Sequence, residues 1–298
     1  MRDLVIQGMR RTGTTVLFDA FVRDQRFETY YEPLNVVTEK PSLGGGSGTH
    51  QLDLFTAVRS VRADFIRLHP DVDPSLLNHG GPSRPDVEVD AVVEPPIDDY
   101  LAAVLGMPGP KVTKFVRMGA KVRQLSLAAP DSVLVWPVRD PREVVRSYLL
   151  GREGRTGHHY PSAAAVFSVA SDRDPWSVRS LSEALITRDQ VEFESPPTDA
   201  ERVVLVWADS VRTMESDGPR FFGERAMRLR HEDFCADPAR ILGALFDRLE
   251  GRPDPETVRW CEGVVRVPDR WEYATDPRWE PLLERVGALE LASELGYL

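Results

Sequence analysis

The densest chemistry in the chain lies in Gly8-Met9-Arg10-Arg11-Thr12-Gly13-Thr14-Thr15, between a short apolar run and an amphipathic stretch. The spacing of Gly8 and Gly13 is that of a phosphate-binding loop, where backbone N–H groups and a helix N-terminus converge on an anion. A nucleotidase loop would continue with Lys for the terminal phosphates and Ser or Thr for magnesium. Here Thr14 stands at the lysine position, and Arg10 and Arg11 supply positive charge earlier in the loop. The run Val133–Val138 also ends in Arg139, where a magnesium site would want a carboxylate. Arg10, Arg11, Thr12, Gly13, Thr14 and Thr15 therefore read as a site for an anion held without a metal.

A second cation and hydroxyl follow the later run. Arg139 leaves the end of a buried-type strand, Asp140-Pro141 suits a cap with Pro at the first helical position, and Ser147 lies about two turns into the helix. In open α/β sheets, ligands bind beyond the carboxyl ends of the strands. Arg139 and Ser147 can hold a second phosphate there. The plainer reading is a surface arginine and a serine bonded to its own helix backbone.

Together these segments resemble the sulfotransferases that take 3′-phosphoadenosine 5′-phosphosulfate as donor. Arg11-Thr12-Gly13-Thr14-Thr15 is similar to their 5′-phosphosulfate loop, and Arg139-Asp140-Pro141-Arg142 with Ser147 to their 3′-phosphate motif. Leu229-Arg230-His231-Glu232-Asp233-Phe234, followed by Asp237-Pro238, resembles their late strand-to-helix junction, with His231 where Tyr is common. Order and spacing agree over roughly residues 3–250. The late Arg-Lys-Gly loop of cytosolic aryl and steroid members is not visible. Tyr30-Tyr31-Glu32-Pro33-Leu34-Asn35 instead resembles the Glu-Pro segment of carbohydrate and bacterial members. The resemblance thus implies a sugar, glycolipid or natural-product hydroxyl as acceptor.

It also implies roles. Arg11, Thr14 and Thr15 would neutralise the leaving phosphate, and Lys114 would contact the sulfuryl group. Glu32 would be the general base, because the histidine that follows this lysine by two residues in cytosolic members is Val116 here. Each residue has an ordinary reading too. Glu32 could simply pair with Arg10 or Arg11, and Lys114 could be a solvated strand-edge lysine. His158 and His159 could border the acceptor or be exposed loop residues, and His231 suits a structural role. Phe55, Phe65, Tyr160, Phe167 and Trp176 fit a partly apolar acceptor or plain core packing. The competing functions are a P-loop kinase or nucleotide-binding protein with a degenerate Walker A loop, and a binding module without chemistry.

The elements that must position these residues are legible from apolar periodicity. Strands are expected at Leu4–Gln7, Lys111–Val116, Val133–Val138 and Ala226–Arg230. Helices are expected at Thr14–Val22, Pro141–Leu150, Pro175–Arg188, Ala200–Met214, Pro238–Leu249 and Trp279–Leu295. The alternation implies an α/β, P-loop-like three-layer domain with a central, mainly parallel sheet flanked by helices. One domain over 1–298 is expected, with a helical and loop excursion at about 40–110, where Leu54, Phe55, Val58, Val61, Phe65 and Leu68 keep helical spacing.

Composition limits the alternatives. The 298 residues are 42% hydrophobic and 28% charged, with a formal charge of −10. Such values suit an ordinary globular enzyme and argue against a general nucleic-acid binder. Yet residues 111–155 hold ten Lys or Arg against four Asp or Glu, a local reversal suited to a small anionic donor. Cys235 and Cys261 form no metal or disulfide pattern, and no run approaches the roughly 18 apolar residues of a membrane span. The apolar run Leu4–Ile6 is too short for a signal peptide. A cytoplasmic protein without a metal is the expectation.

Overall fold

The computed structural model describes residues 1–35, 54–78, 84–150, 166–167, 177–265 and 272–298. The chain begins β1 (Leu4–Gln7), α1 (Thr14–Arg23), β2 (Glu28–Tyr31), α2 (Thr56–Leu68), α3 (Pro85–Val89) and α4 (Pro95–Leu105). It continues β3 (Lys111–Phe115), α5 (Val122–Ala128), β4 (Val133–Val138), α6 (Pro141–Leu149), α7 (Val178–Asp189) and α8 (Asp199–Phe222). Last come β5 (Ala226–Arg230), α9 (His231–Ala236), α10 (Pro238–Arg248), α11 (Pro255–Val264), α12 (Trp279–Arg285) and α13 (Leu289–Glu294).

All the strands pair in parallel, in the order β2-β3-β1-β4-β5. Every residue of β1, β3 and β4 is buried, as befits a parallel sheet covered on both faces. The four apolar runs form β1, β3, β4 and β5, with β3 stopping at Phe115. Nothing in the apolar pattern marks β2, because it is an edge strand whose Glu28 is exposed and whose burial begins only at Tyr30.

The chain divides into two compact units. The first comprises Met1–His79, Asp90–Val138 and Thr213–Val267, and contains the whole sheet. One sheet face carries Leu4, Ile6, Val112, Val133, Val135 and Leu229, packed with Leu17, Phe18 and Phe21 of α1 and Leu242, Leu245 and Phe246 of α10. Phe21 stacks on Phe246 at 5.4 Å and meets Phe27 edge-on at the same distance. This aromatic cluster anchors the last turn of α1 against α10.

The second unit comprises Gly80–Val89, Arg139–Arg212 and Pro268–Leu298. Asp140 caps α6 by accepting from the Arg142 N–H at 2.9 Å, with Pro141 at the first helical position. The Arg142 guanidinium also reaches the carbonyls of Ala274, at 3.1 Å, and Tyr297. Glu201 of α8 accepts from Arg285 of α12 at 2.8 Å.

Two helices depart from the periodic pattern. The stretch Trp279–Leu295 is broken into α12 and α13 at Gly287, whose φ of 67° is in the left-handed region that stops a helix. Conversely, α8 runs through Pro219 to Phe222. Gly218 leaves room there for the Trp136 ring, which would lie 3.0 Å from an added Cβ, and Glu215 accepts from the Trp136 indole at 3.2 Å. Tertiary packing holds a turn that local propensity would end. No helix among the described residues is long and apolar enough to cross a membrane.

Candidate active site

The sheet register brings the first group of site residues together. Lys114 of β3 pairs with Ile6 of β1 on one side and Tyr31 of β2 on the other. The ladder continues one residue past β2, because the Glu32 N–H donates to the Lys114 carbonyl at 2.9 Å. The two side chains then meet, with Lys114 Nζ 2.6 Å from Glu32 Oε1. Lys114 is 1% exposed and Glu32 12%, so Lys114 is not a solvated edge lysine.

Asn35 donates to the other oxygen, Glu32 Oε2, at 2.6 Å, and its backbone N–H donates to the Glu32 carbonyl. Lys114 Nζ also sits 4.0 Å from the centroid of the Tyr31 ring, a cation–π contact strengthened by burial. Burial pushes the Glu32 carboxyl up, but the charges of Lys114 and Arg10 and the hydrogen bonds from Lys114 and Asn35 outweigh it, holding its pKa down at about 2. Burial disfavours the Lys114 charge, yet Glu32 and Tyr31 raise its pKa on balance. Both groups are charged at neutral pH.

The loop before α1 lies beside this pair. The Thr15 hydroxyl is 3.5 Å from the Tyr31 hydroxyl, and Arg10 is close enough to bias the Glu32 carboxyl. Thr12 braces the loop from within, its buried hydroxyl donating to the Met9 carbonyl at 2.7 Å. Thr14 is buried against Gly8, and Thr15 is exposed. Gly13 caps α1 with φ 99° and no side-chain bond to the helix; the first amides of α1, like those of any helix, have no intrahelical acceptor, an arrangement that can favour an anion. His231 opens α9 and packs on Gly13, with its Nε2 3.5 Å from the buried Cys235 Sγ. Arg11 and Glu32 both adopt left-handed backbone, at φ 71° and 45°. Such residues cost about 1–3 kcal/mol each and concentrate at functional sites.

Arg139 and Ser147 belong to the second unit. Arg139 Nη2 pairs with Glu143 one turn into α6 at 3.2 Å, and its carbonyl accepts from the Trp207 indole at 3.0 Å. Ser147 is half-buried on α6. Phe55 and Phe65 are buried in the first unit, and Phe167 packs edge-on against Trp279 in the second. His158, His159, Tyr160 and Trp176 lie outside the described residues.

Tyr31 and Asn35 stand in the stretch noted in the sequence, but nothing in their spacing assigns them to Lys114 and Glu32. Their roles emerge only from the β2–β3 register.

No family model and no curated protein matches the chain. Solved structures do. The sulfotransferase domain from the curacin biosynthetic pathway superposes with a TM-score of 0.52 at 16% identity, covering 100% of this chain and 98% of that one. Sulfotransferase STF9 from Mycobacterium avium gives 0.51 at 13% identity, over 98% of this chain and 76% of its own. STF1 from Mycobacterium tuberculosis H37Rv gives 0.50 at 14%, over 97% and 77%. The parallel α/β architecture of this chain is the fold of these sulfotransferases.

Proposed function

We propose that the chain transfers a sulfuryl group from 3′-phosphoadenosine 5′-phosphosulfate to a hydroxyl of a sugar, glycolipid or natural-product acceptor. The observation that carries this reading is the buried Glu32–Lys114 pair at 2.6 Å, next to a loop bearing Arg10, Arg11 and Thr15. The shared fold supports it. A glycine cradle at the α1 N-terminus, arginines and hydroxyls fit an anionic phosphosulfate.

In this reading Arg10, Arg11, Thr14, Thr15 and the α1 amides hold the 5′ end of the donor, and Arg139 and Ser147 hold its 3′-phosphate. The acceptor hydroxyl gives its proton to Glu32. Its oxygen bonds to sulfur as the bond from sulfur to the bridging phosphate oxygen breaks. Adenosine 3′,5′-bisphosphate leaves with that electron pair, and Lys114 and Arg11 balance the charge that develops.

A carboxylate with a pKa of about 2 is a weak base, and a general base works best near the operating pH. The pairing itself suggests the remedy. A bound anionic donor competes with Glu32 for the Lys114 ammonium, and each interaction Lys114 transfers to the sulfuryl oxygens raises the basicity of Glu32. The base is thus quiet until the donor is present.

The test is direct. Adenosine 3′,5′-bisphosphate should raise the melting temperature, and label from the phosphosulfate donor should appear on an acceptor in a hydroxyl-compound screen. Stabilisation by ATP with magnesium and none by the bisphosphate would instead favour a kinase or nucleotide-binding protein.

A further inference from the structure

Helix α2 carries a guanidinium, that of Arg59, with no paired carboxylate among the described residues. Arg59 lies one turn after Phe55, with its Cζ 5.7 Å from the centroid of the Phe55 ring. Its Nε and Nη2 are buried and have no hydrogen-bond partner among the described residues. Arginine keeps its charge at any pH a folded protein meets, so burying two of its donors unpaired is unfavourable. Arg62, one turn further on, shows the contrast at Nη2 alone. Its Nη2 donates to the Pro74 carbonyl at 2.7 Å and to Asn78 Oδ1 at 3.0 Å, which makes it a brace for the segment after α2.

Nε and Nη2 form one edge of the planar fork, with two parallel donors that match the two oxygens of a carboxylate. The location of this edge gives it meaning. Phe55 meets the Tyr31 ring edge-on at 5.1 Å, and Tyr31 lies against Lys114 Nζ at 4.0 Å. A run of contacts therefore leads from Arg59 through Phe55 and Tyr31 to Lys114, the partner of Glu32. Lys114 and Glu32 neutralise each other, and the arginines of the donor loop stand before α1, on a different element. Among the described residues, the Arg59 edge is left for a separate oxyanion.

We propose that Arg59 binds a carboxylate carried by the acceptor, so that the chain sulfates a hydroxyl compound that is itself an acid. The two aromatic rings would separate the carboxylate from the reacting hydroxyl and set the length of acceptor that fits. This rests on the sulfuryl-transfer reading and names its acceptor class.

The test uses the full chain, its Arg59→Gln and Arg59→Met variants, and two probe pairs: 4-hydroxyphenylacetate and its methyl ester, and glucuronate and its methyl ester. Thermal shift is measured with and without adenosine 3′,5′-bisphosphate. At least one acid should raise the melting temperature of the wild type where its ester does not, and the rise should vanish in Arg59→Gln. For an acid that is turned over, Arg59→Gln should raise KM about tenfold or more with kcat within about twofold, the signature of lost uniform binding. Equal shifts from acid and ester, no shift from either acid, or a shift surviving Arg59→Gln would overturn the proposal. Arg59→Met should melt at or above the wild-type temperature, since it removes an unpaired buried charge. A large fall would make Arg59 a packing residue and overturn the proposal as well. If the bisphosphate fails to bind while the acid shift remains dependent on Arg59, the donor reading fails and the carboxylate site stands.

Discussion

Gly13 and His231 are packed so closely that a Cβ on the glycine would overlap the imidazole, lying 2.9 Å from Cε1 and closer still to Nδ1. The backbone of Gly13, at φ 99°, is one that side chains rarely adopt. Two separate constraints therefore hold this position to glycine, and both act on the turn that aims the α1 amides.

Gly13→Ala should lower stability by about 1–3 kcal/mol from backbone strain alone, with a further loss from the clash with His231. Urea denaturation measures the total. Adding His231→Ala should recover only the clash component, and adenosine 3′,5′-bisphosphate should bind more weakly to both variants. A Gly13→Ala protein with wild-type stability and affinity would show that the loop tolerates a side chain.

Glu32→Gln removes the proton acceptor while keeping the shape of the side chain. Turnover should fall by about 10²–10⁴, while affinity for adenosine 3′,5′-bisphosphate, read by calorimetry, should hold. Near-normal turnover would remove Glu32 from the mechanism.

The same carboxylate predicts an acid limb in stability. Its folded pKa is depressed to about 2 from an ordinary 4.5. The unfolded state then binds the proton more readily, so the contribution of Glu32 is fully present above about pH 4.5 and is lost as pH falls toward 2. Denaturation curves of wild type between pH 6 and 2 should include this loss, and Glu32→Gln should lack that part of the slope. Parallel curves for the two proteins would mean that the pair is not formed in solution.

Lys114→Met tests the pair from the other side. It leaves Glu32 buried without its main counter-charge, and breaking a buried pair costs about 3–5 kcal/mol. The Glu32→Gln/Lys114→Met double variant should regain much of that stability while remaining inactive. Equal stability of Lys114→Met and wild type would place the ammonium elsewhere.

Arg139→Ala should weaken binding of adenosine 3′,5′-bisphosphate and leave Glu143 paired with Arg146 at 3.4 Å in place of its shared contact with Arg139 at 3.2 Å. Adenosine 5′-phosphate, which lacks the 3′-phosphate, should bind wild type and variant alike. Unchanged affinity for the bisphosphate would contradict the 3′-phosphate assignment.

Several elements were legible because their signals are local. The runs Leu4–Gln7, Val133–Val138 and Ala226–Arg230 are strands with those limits, since unbroken apolar runs bounded by turn residues suit a sheet covered on both faces. The Asp140-Pro141 cap is as local as a signal can be. β2 was hidden because an edge strand needs burial at only some of its positions. The break at Gly287 and the continuation of α8 through Pro219 were hidden for the opposite reason: a single residue's preference was enforced in one case and overridden by packing in the other.

The sequence by itself determined the glycine- and arginine-bearing loop between β1 and α1, the order of the strand-to-helix junctions, and the local basic surplus behind a net charge of −10. All three follow from residue type and spacing along a few turns of chain. Only the tertiary structure decided that Glu32 and Lys114, 82 residues apart, form one largely buried pair, that Tyr31 and Asn35 hold it, and that Arg59 has an edge unpaired among the described residues. Those relations depend on the β2–β3 register and on burial. Both are set by long-range packing, which no local spacing encodes.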